Sequence, residues 1–404
     1  MESECLQSPR SRVVSLITPR PSPSFRKILQ TLAAADHRNS GPDHPRDPLR
    51  LSSAKGHENH ASSHFRDFAC AEGGAGPTVP TSVHALRPGD IRHVATLGDS
   101  LSAGNGADAS TLLGVKLEYR GLAFAGGCDE DLARHSSLPN ILRTFNGQLE
   151  GCSKGIGSRD KYRVARFNVA KPGSSAHDLS GQVDMLVARM KEHLTQEQFD
   201  KDWKLINIHI GGNDLCKSCK DEKFFSPKEW ALRVALVAHK IKLSIPRTLV
   251  NVGGPPHIEI QLELHREKPL CRYINRIECG CISKVPKSVL RQKAFEYHRE
   301  LEKYQHHPES LNSDSFTLVV QPLLNGISKA PRTARGKADF SFFAPDCFHF
   351  GRKAHAAVGK MYWNNLLEPV GAKTVFTKLN QDVSLKCPDS DCPFLRTVKN
   401  SAAC

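Results

Sequence analysis

The sequence predicts an α/β fold on a mainly parallel sheet of five strands, and three observations lead there. Five short, apolar, β-branched segments recur at wide spacing, at residues 93–97, 166–170, 205–210, 248–252 and 316–320. Near-continuous apolar runs of that length suit strands covered on both faces, as parallel strands are. Helical periodicities fall between and after them, and strands alternating with helices close a parallel sheet through right-handed crossovers. A glycine turn, Gly98-Asp99-Ser100, follows the first run directly. Strand, turn and exposed serine in that order is what a nucleophile at a strand end requires. Glycine takes the tight turn and leaves room for an incoming carbonyl.

Residues 1–77 are expected to form a disordered or atypical N-terminal tail. Residues 8–63 are rich in Ser, Pro, Arg, Asp and His with no sustained period, so they bury too little surface to offset their ordering entropy. No run approaches the ~18 consecutive apolar residues of a membrane span. Residues 13–17 are too short for the core of a secretory signal and are ended by Pro19-Arg20-Pro21, while Glu2 and Glu4 oppose a mitochondrial leader. No signal peptide is therefore expected in this sequence. Residues 78–404 are expected to fold as a single unit, without internal repeats.

Within that unit the stretch from Leu97 to Arg166 is too long for a plain connection and should carry small elements of its own. It either covers a substrate pocket or is structural, stapled by Cys128 and Cys152. A helix over 179–194 places Val183, Leu186, Val187 and Met190 on one face. A second, over 227–243, starts at Ser226-Pro227 and turns Trp230, Val234, Val237 and Ile241 inward. Residues 289–304 and 352–367 follow the same logic.

Composition narrows the function classes. The formal net charge is +14, but basic residues are interleaved with acids and form no nucleic-acid module. The basic surface is either ordinary solvated surface or an attraction to anionic lipid. Twelve of the thirteen cysteines lie from Cys70 onward, which suits disulfides formed in an oxidising compartment. The close pairs Cys216/Cys219 and Cys279/Cys281 also allow a zinc reading, which the tight second pair disfavours. Disulfide connectivity stays open at this point. No Asn-x-Ser/Thr acceptor occurs.

Four blocks carry the chemistry: Gly98-Asp99-Ser100-Leu101, Asn168-Val169-Ala170-Lys171-Pro172-Gly173, Gly211-Gly212-Asn213-Asp214 and Asp346-Cys347-Phe348-His349. Acyl transfer needs a nucleophile, a base, an acid that holds the base, and donors for the oxyanion. Ser100 is the candidate nucleophile, because ligands of open α/β sheets bind outside the carboxyl ends of the strands. His349 is the candidate base and Asp346 its orienting acid. Three residues apart in a loop, the two can turn toward one point, and their apolar surroundings strengthen the coupling by excluding water. His355 belongs to the following helix and is not assigned a catalytic role. Asp99 and Asp214 are read as braces of backbone turns.

These blocks, in this order, resemble the GDSL or SGNH family of serine esterases. The segments Pro345-Asp346-Cys347-Phe348-His349-Phe350, Trp363-Asn364-Asn365-Leu366-Leu367-Glu368-Pro369-Val370-Gly371 and Pro393-Phe394-Leu395-Arg396-Thr397 resemble its phospholipase B branch. The resemblance runs from about Phe68 to Asn400 and implies a flavodoxin-like, three-layer α/β/α sandwich. It implies that the Ser100 and Gly173 backbone N–H groups and the Asn213 amide bind the oxyanion. It also implies an ester hydrolase acting on phospholipids and lysophospholipids at a membrane or micelle surface, with no metal or cofactor and no nucleic-acid partner, secreted or at an extracellular membrane surface, as a monomer. An esterase for acetylated sugars and an inactive lipid-binding relative are the alternatives. The tail and Gly253-Gly254-Pro255-Pro256 depart from the pattern, the latter bearing on pocket shape.

Overall fold

The computed structural model describes residues 68–306 and 311–404; most of the tail, residues 1–67, lies outside them. The sheet comprises β1 (Ile91–Gly98), β2 (Trp203–His209), β3 (Thr248–Gly253), β4 (Asn312–Ser313) and β5 (Phe316–Gln321), in the spatial order β1-β2-β3-β5-β4. The first three pairings are parallel, and β4 adds a short antiparallel hairpin to β5. The fold class is as predicted, but one strand is not. Residues 166–170 meet β1 only through a single parallel bridge, Thr96 to Asn168. Arg166 sits at φ +49°, and the Asn168 side chain bonds to Ser102 O and Ala170 N, which bends the chain away from the strand path. The fifth strand is instead β4.

Side chains alternate across the sheet and feed two cores. Ala95, Leu97, Ile206, Ile208, Val250 and Val252 join the helices α2 (Leu179–His193), α4 (Pro227–Ser244) and α7 (Lys287–Gln305). Val94, Leu205 and Leu249 pack with α8 (Arg352–Leu367) on the other face, which makes three layers. The helices form for the reasons legible in their sequence. Ser226 caps α4 by accepting from the Glu229 N–H, Pro227 occupies the first turn, and Trp230, Val234, Val237 and Ile241 are all buried.

The register decides where the chemistry falls. Gly98, His209, Gly253 and Gln321 end the four parallel strands side by side. From that edge depart the short helices α1 (Ser100–Ala103) and α3 (Gly212–Lys217), and beyond β3 the pair α5 (Gln261–Glu267) and α6 (Pro269–Glu278). Among the described residues six disulfides staple the body: Cys70–Cys387, Cys128–Cys152, Cys216–Cys279, Cys219–Cys281, Cys271–Cys347 and Cys392–Cys404. The four sulfurs that allowed a zinc reading are thus consumed in pairs. Among the described residues no helix is long and apolar enough to cross a membrane.

Candidate active site

Ser100 is the first residue of α1, and the turn before it admits only glycine. Gly98 has φ +146°, and a Cβ there would lie 2.2 Å from His209 O and 2.3 Å from Ser102 Oγ. Asp99 caps α1 by accepting from the Leu101 N–H at 3.0 Å. The turn is clamped from α2 by the buried Gln182, whose amide accepts from Gly98 N–H at 2.9 Å and donates to Gly98 O at 2.8 Å. Sequence reasoning missed Gln182. Its signal was a polar side chain three residues after Leu179, on the inward face of an amphipathic helix. Ser100 lies at the floor of a cleft, 8% exposed.

The loop before α8 brings the other two groups to it. Asp346 Oδ1 accepts from the backbone N–H groups of Phe348 (3.0 Å) and His349 (3.1 Å), folding the loop back on itself. Cys347 takes φ +58° at the bend and is tied to Cys271 of α6. His349 Nδ1 then lies 2.5 Å from Asp346 Oδ2, and His349 Nε2 lies 2.8 Å from Ser100 Oγ. The three residues form one continuous hydrogen-bonded line. α8 starts from Gly351, so Asp346 does not cap it.

Electrostatics follow from this geometry. Burial opposes charge on His349, but the hydrogen bond and charge of Asp346, with Glu278 and Asp99, outweigh it and hold its pKa above the ordinary value. Burial likewise works to raise Asp346. The His349 contact and the Phe348 and His349 N–H groups win, leaving its carboxyl below the usual range. Burial pushes Asp99 up to about 6 and Asp214 up to about 7, each only partly offset by backbone N–H groups. Asp214 accepts from Ala176 N–H with both oxygens at 3.2 Å and so braces the neighbouring turn. His355 is buried in α8, accepts from Phe124 N–H, and is driven by burial down to about 3.

Asn213 is the second residue of α3 and lines the same cleft as Ser100. One amide hydrogen goes to Ser174 O at 2.9 Å, which ties α3 to the loop that carries Gly173. An amide has a second hydrogen, free to meet an oxyanion. Gly173 is exposed at φ +79°, with open space where a side chain would stand.

Most of the cleft wall was not foreseen; only Pro256, Phe348 and Phe350 fall in segments that the sequence singles out. The wall comes from Pro256, Ile258 and Ile260 after β3, from Leu324 and Ile327 after β5, and from Phe348, Phe350 and Leu379. From the long stretch after β1 only Asp99 and the first two residues of α1, Ser100 and Leu101, contribute, so its remainder does not line the pocket. It is a structural layer, held in part by the buried Arg120, which donates to Gly157 O, Asn168 O and Ala170 O. His257 is also in the wall, between Glu259 Oε1 (3.1 Å) and Asn325 O (2.6 Å). One histidine among nineteen carried no signal of this.

A family profile described as GDSL-like Lipase/Acylhydrolase matches residues 94–361, a span that holds Ser100, Gly173, Asn213, Asp346 and His349. The chain belongs to this family. It is also 40% identical over 344 residues to proteins named "Phospholipase B1, membrane-associated" from Mus musculus and Homo sapiens. The Rattus norvegicus protein of that name is 39% identical over 343 residues. Each match covers 83% of this chain and 23% of the relative, so the chain spans about a quarter of the length of the curated relatives it matches.

Asn213→Ala is expected to lower kcat by ~10²–10³ with little change in KM, because an oxyanion bond forms chiefly in the transition state. Turnover, KM and Tm on one preparation decide it. A lowered Tm with normal turnover per folded molecule would leave Asn213 only its Ser174 tether.

Proposed function

We propose that the chain is a serine ester hydrolase that cleaves fatty-acyl esters of phospholipids and lysophospholipids through an acyl-enzyme. The observation that carries this reading is the line Ser100–His349–Asp346 opening into an apolar cleft. Ser100 Oγ attacks the ester carbonyl while His349 takes its proton and Asp346 holds the imidazolium. The carbonyl oxygen, now negative, meets the Ser100 and Gly173 N–H groups and the Asn213 amide. Collapse expels the alcohol, which takes the proton from His349 and leaves the acyl group on Ser100. Water then attacks with His349 again as base, releasing the fatty acid and restoring the serine.

The cleft favours a hydrocarbon substrate. Ile258, Ile327, Leu324, Leu379, Phe348 and Phe350 offer contact to methylenes and few partners to sugar hydroxyls. Six disulfides and the membrane-associated name of the relatives support secretion or an extracellular membrane surface. In this reading the hydrolase domain comprises residues 78–404, with Phe68–Pro77 attached through Cys70–Cys387, and it acts as a monomer.

The test is acyl-chain selectivity. The chain should hydrolyse palmitoyl lysophosphatidylcholine and a palmitoyl ester faster than acetylated sugars. Ile327→Trp should cut the palmitoyl-to-butyryl rate ratio roughly tenfold or more, because overpacking an apolar wall excludes the long chain first. A ratio is insensitive to loss of folded protein, which lowers both rates alike. An unchanged ratio would move the acyl chain out of this cleft, and a preference for acetylated sugars would replace the lipid reading.

A further inference from the structure

Helix α6 turns large apolar side chains outward. Leu270, Tyr273 and Ile277 are 42%, 46% and 56% exposed. Their spacing of three and four residues stacks them on one face. Single exposed apolar residues are ordinary on a surface, but three on one face of a ten-residue helix form a stripe that water does not favour.

The opposite face of α6 is fully engaged, so the stripe does not result from a loosely placed helix. Cys271 is buried and bonded to Cys347, the residue between Asp346 and Phe348. Asn275 is buried as well. Turned with its nitrogen to the loop, its amide donates to Cys271 O (3.2 Å) and Asp346 O (3.0 Å) and accepts from His265 Nε2 (3.2 Å). The helix is therefore anchored on the loop that carries the candidate base and acid, and its last residue, Glu278, is close enough to raise His349.

Charge accompanies the stripe. Arg272 and Arg276 stand exposed along one side of it, and the exposed Lys268 precedes the helix. Arg276 and Ile277 share a groove with Asn213, Lys217, Lys220 and Lys284, so the basic strip runs to the edge of the reactive cleft. Glu278 is the single acid of the helix. An outward apolar stripe beside cations is the arrangement of a helix that lies in a membrane interface, where side chains enter the acyl boundary and cations meet phosphate.

We propose that α6 docks the protein on an anionic phospholipid bilayer. Leu270, Tyr273 and Ile277 enter the lipid, Arg272 and Arg276 meet its phosphates, and the mouth of the Ser100 cleft is set at the surface. The proposal deepens the lipid-hydrolase reading and rests on it for its purpose, while docking itself needs no turnover.

The test uses the full chain carrying Ser100→Ala, so that vesicles stay intact and binding is read apart from hydrolysis. Vesicles of phosphatidylcholine, with and without phosphatidylglycerol, are sedimented with the protein. The chain should partition onto the anionic vesicles and release as salt is added. Leu270→Ser/Tyr273→Ser/Ile277→Ser should lower that partition roughly tenfold or more, and Arg272→Gln/Arg276→Gln should erase the preference for anionic lipid. With Ser100 restored, the triple variant should hydrolyse a water-soluble butyryl ester at the parent rate. If the triple variant unfolds, Ile277→Ser alone carries the comparison. Equal partition of parent and variants would overturn the proposal, as would a parent that ignores vesicles but self-associates through this face. Absent hydrolysis with intact vesicle binding would instead count against the enzymatic reading alone.

Discussion

Ser100→Ala is expected to reduce ester hydrolysis by roughly 10⁶ in kcat and to leave the fold unchanged. The size of the effect follows from the serine being the bond-forming atom, with no neighbour placed to replace it. The fold is spared because Ser100 Oγ is bonded to His349 Nε2 and holds no backbone group in place. The α1 cap belongs to Asp99 and the turn belongs to Gly98 and Gln182, so alanine inherits an intact scaffold. Tm and the circular dichroism spectrum of the variant should match the parent. Activity within tenfold of the parent in a pure preparation would assign the nucleophile to another residue.

The second large effect belongs to Asp346→Asn, expected to lower kcat by ~10⁴. Asparagine keeps an oxygen to accept from Phe348 and His349 N–H groups, so the bend at Cys347 survives. What changes is the partner of His349 Nδ1. A carboxylate fixes the tautomer that leaves Nε2 free to take the serine proton, and it supports the imidazolium that results. The pH dependence gives a second readout with a definite sign. The base works only when neutral, and Asp346 raises the His349 pKa. Rate in the parent should therefore fall on the acid side with a midpoint above the ordinary imidazole value of about 6.5. Removing the Asp346 carboxylate takes away the charged hydrogen bond and the charge, the two largest raising causes, so the residual activity of the variant should persist to lower pH. A midpoint that does not move would mean that another acid faces His349.

How far the sequence speaks differs by the range of the forces involved. Gly98, Ser100, Asp346 and His349 were legible because each works within a few residues, at a strand end or in a self-closing loop. The faces of α2 and α4 were legible because helical period repeats the same demand several times. Residues 166–170 read as a strand by composition, yet a strand needs a partner ladder. Here the backbone pairs with β1 at Thr96 alone, through Phe167 O and Val169 N–H, and the turn at Arg166 (φ +49°) stops the ladder from extending. Most of the cleft wall was illegible for a related reason. Ile258, Ile327 and Leu379 come from three distant loops, and each looks like ordinary core until the chain is folded. Cysteine spacing showed that Cys216/Cys219 and Cys279/Cys281 were special pairs. It could not show that the pairs join each other, since proximity across sixty-odd residues is set by how the fold brings α3 to the turn that follows α6.

The central claim is that Ser100 is activated in the folded chain, and covalent labelling reads that without any choice of lipid. The intact protein is treated with a fluorophosphonate, and adduct and site are read by mass spectrometry of the whole chain and its peptides. The account predicts a single adduct on Ser100, absent from Ser100→Ala and formed far more slowly in His349→Ala and Asp346→Asn. A folded protein that takes up no label, or that takes it up on another serine, would contradict it.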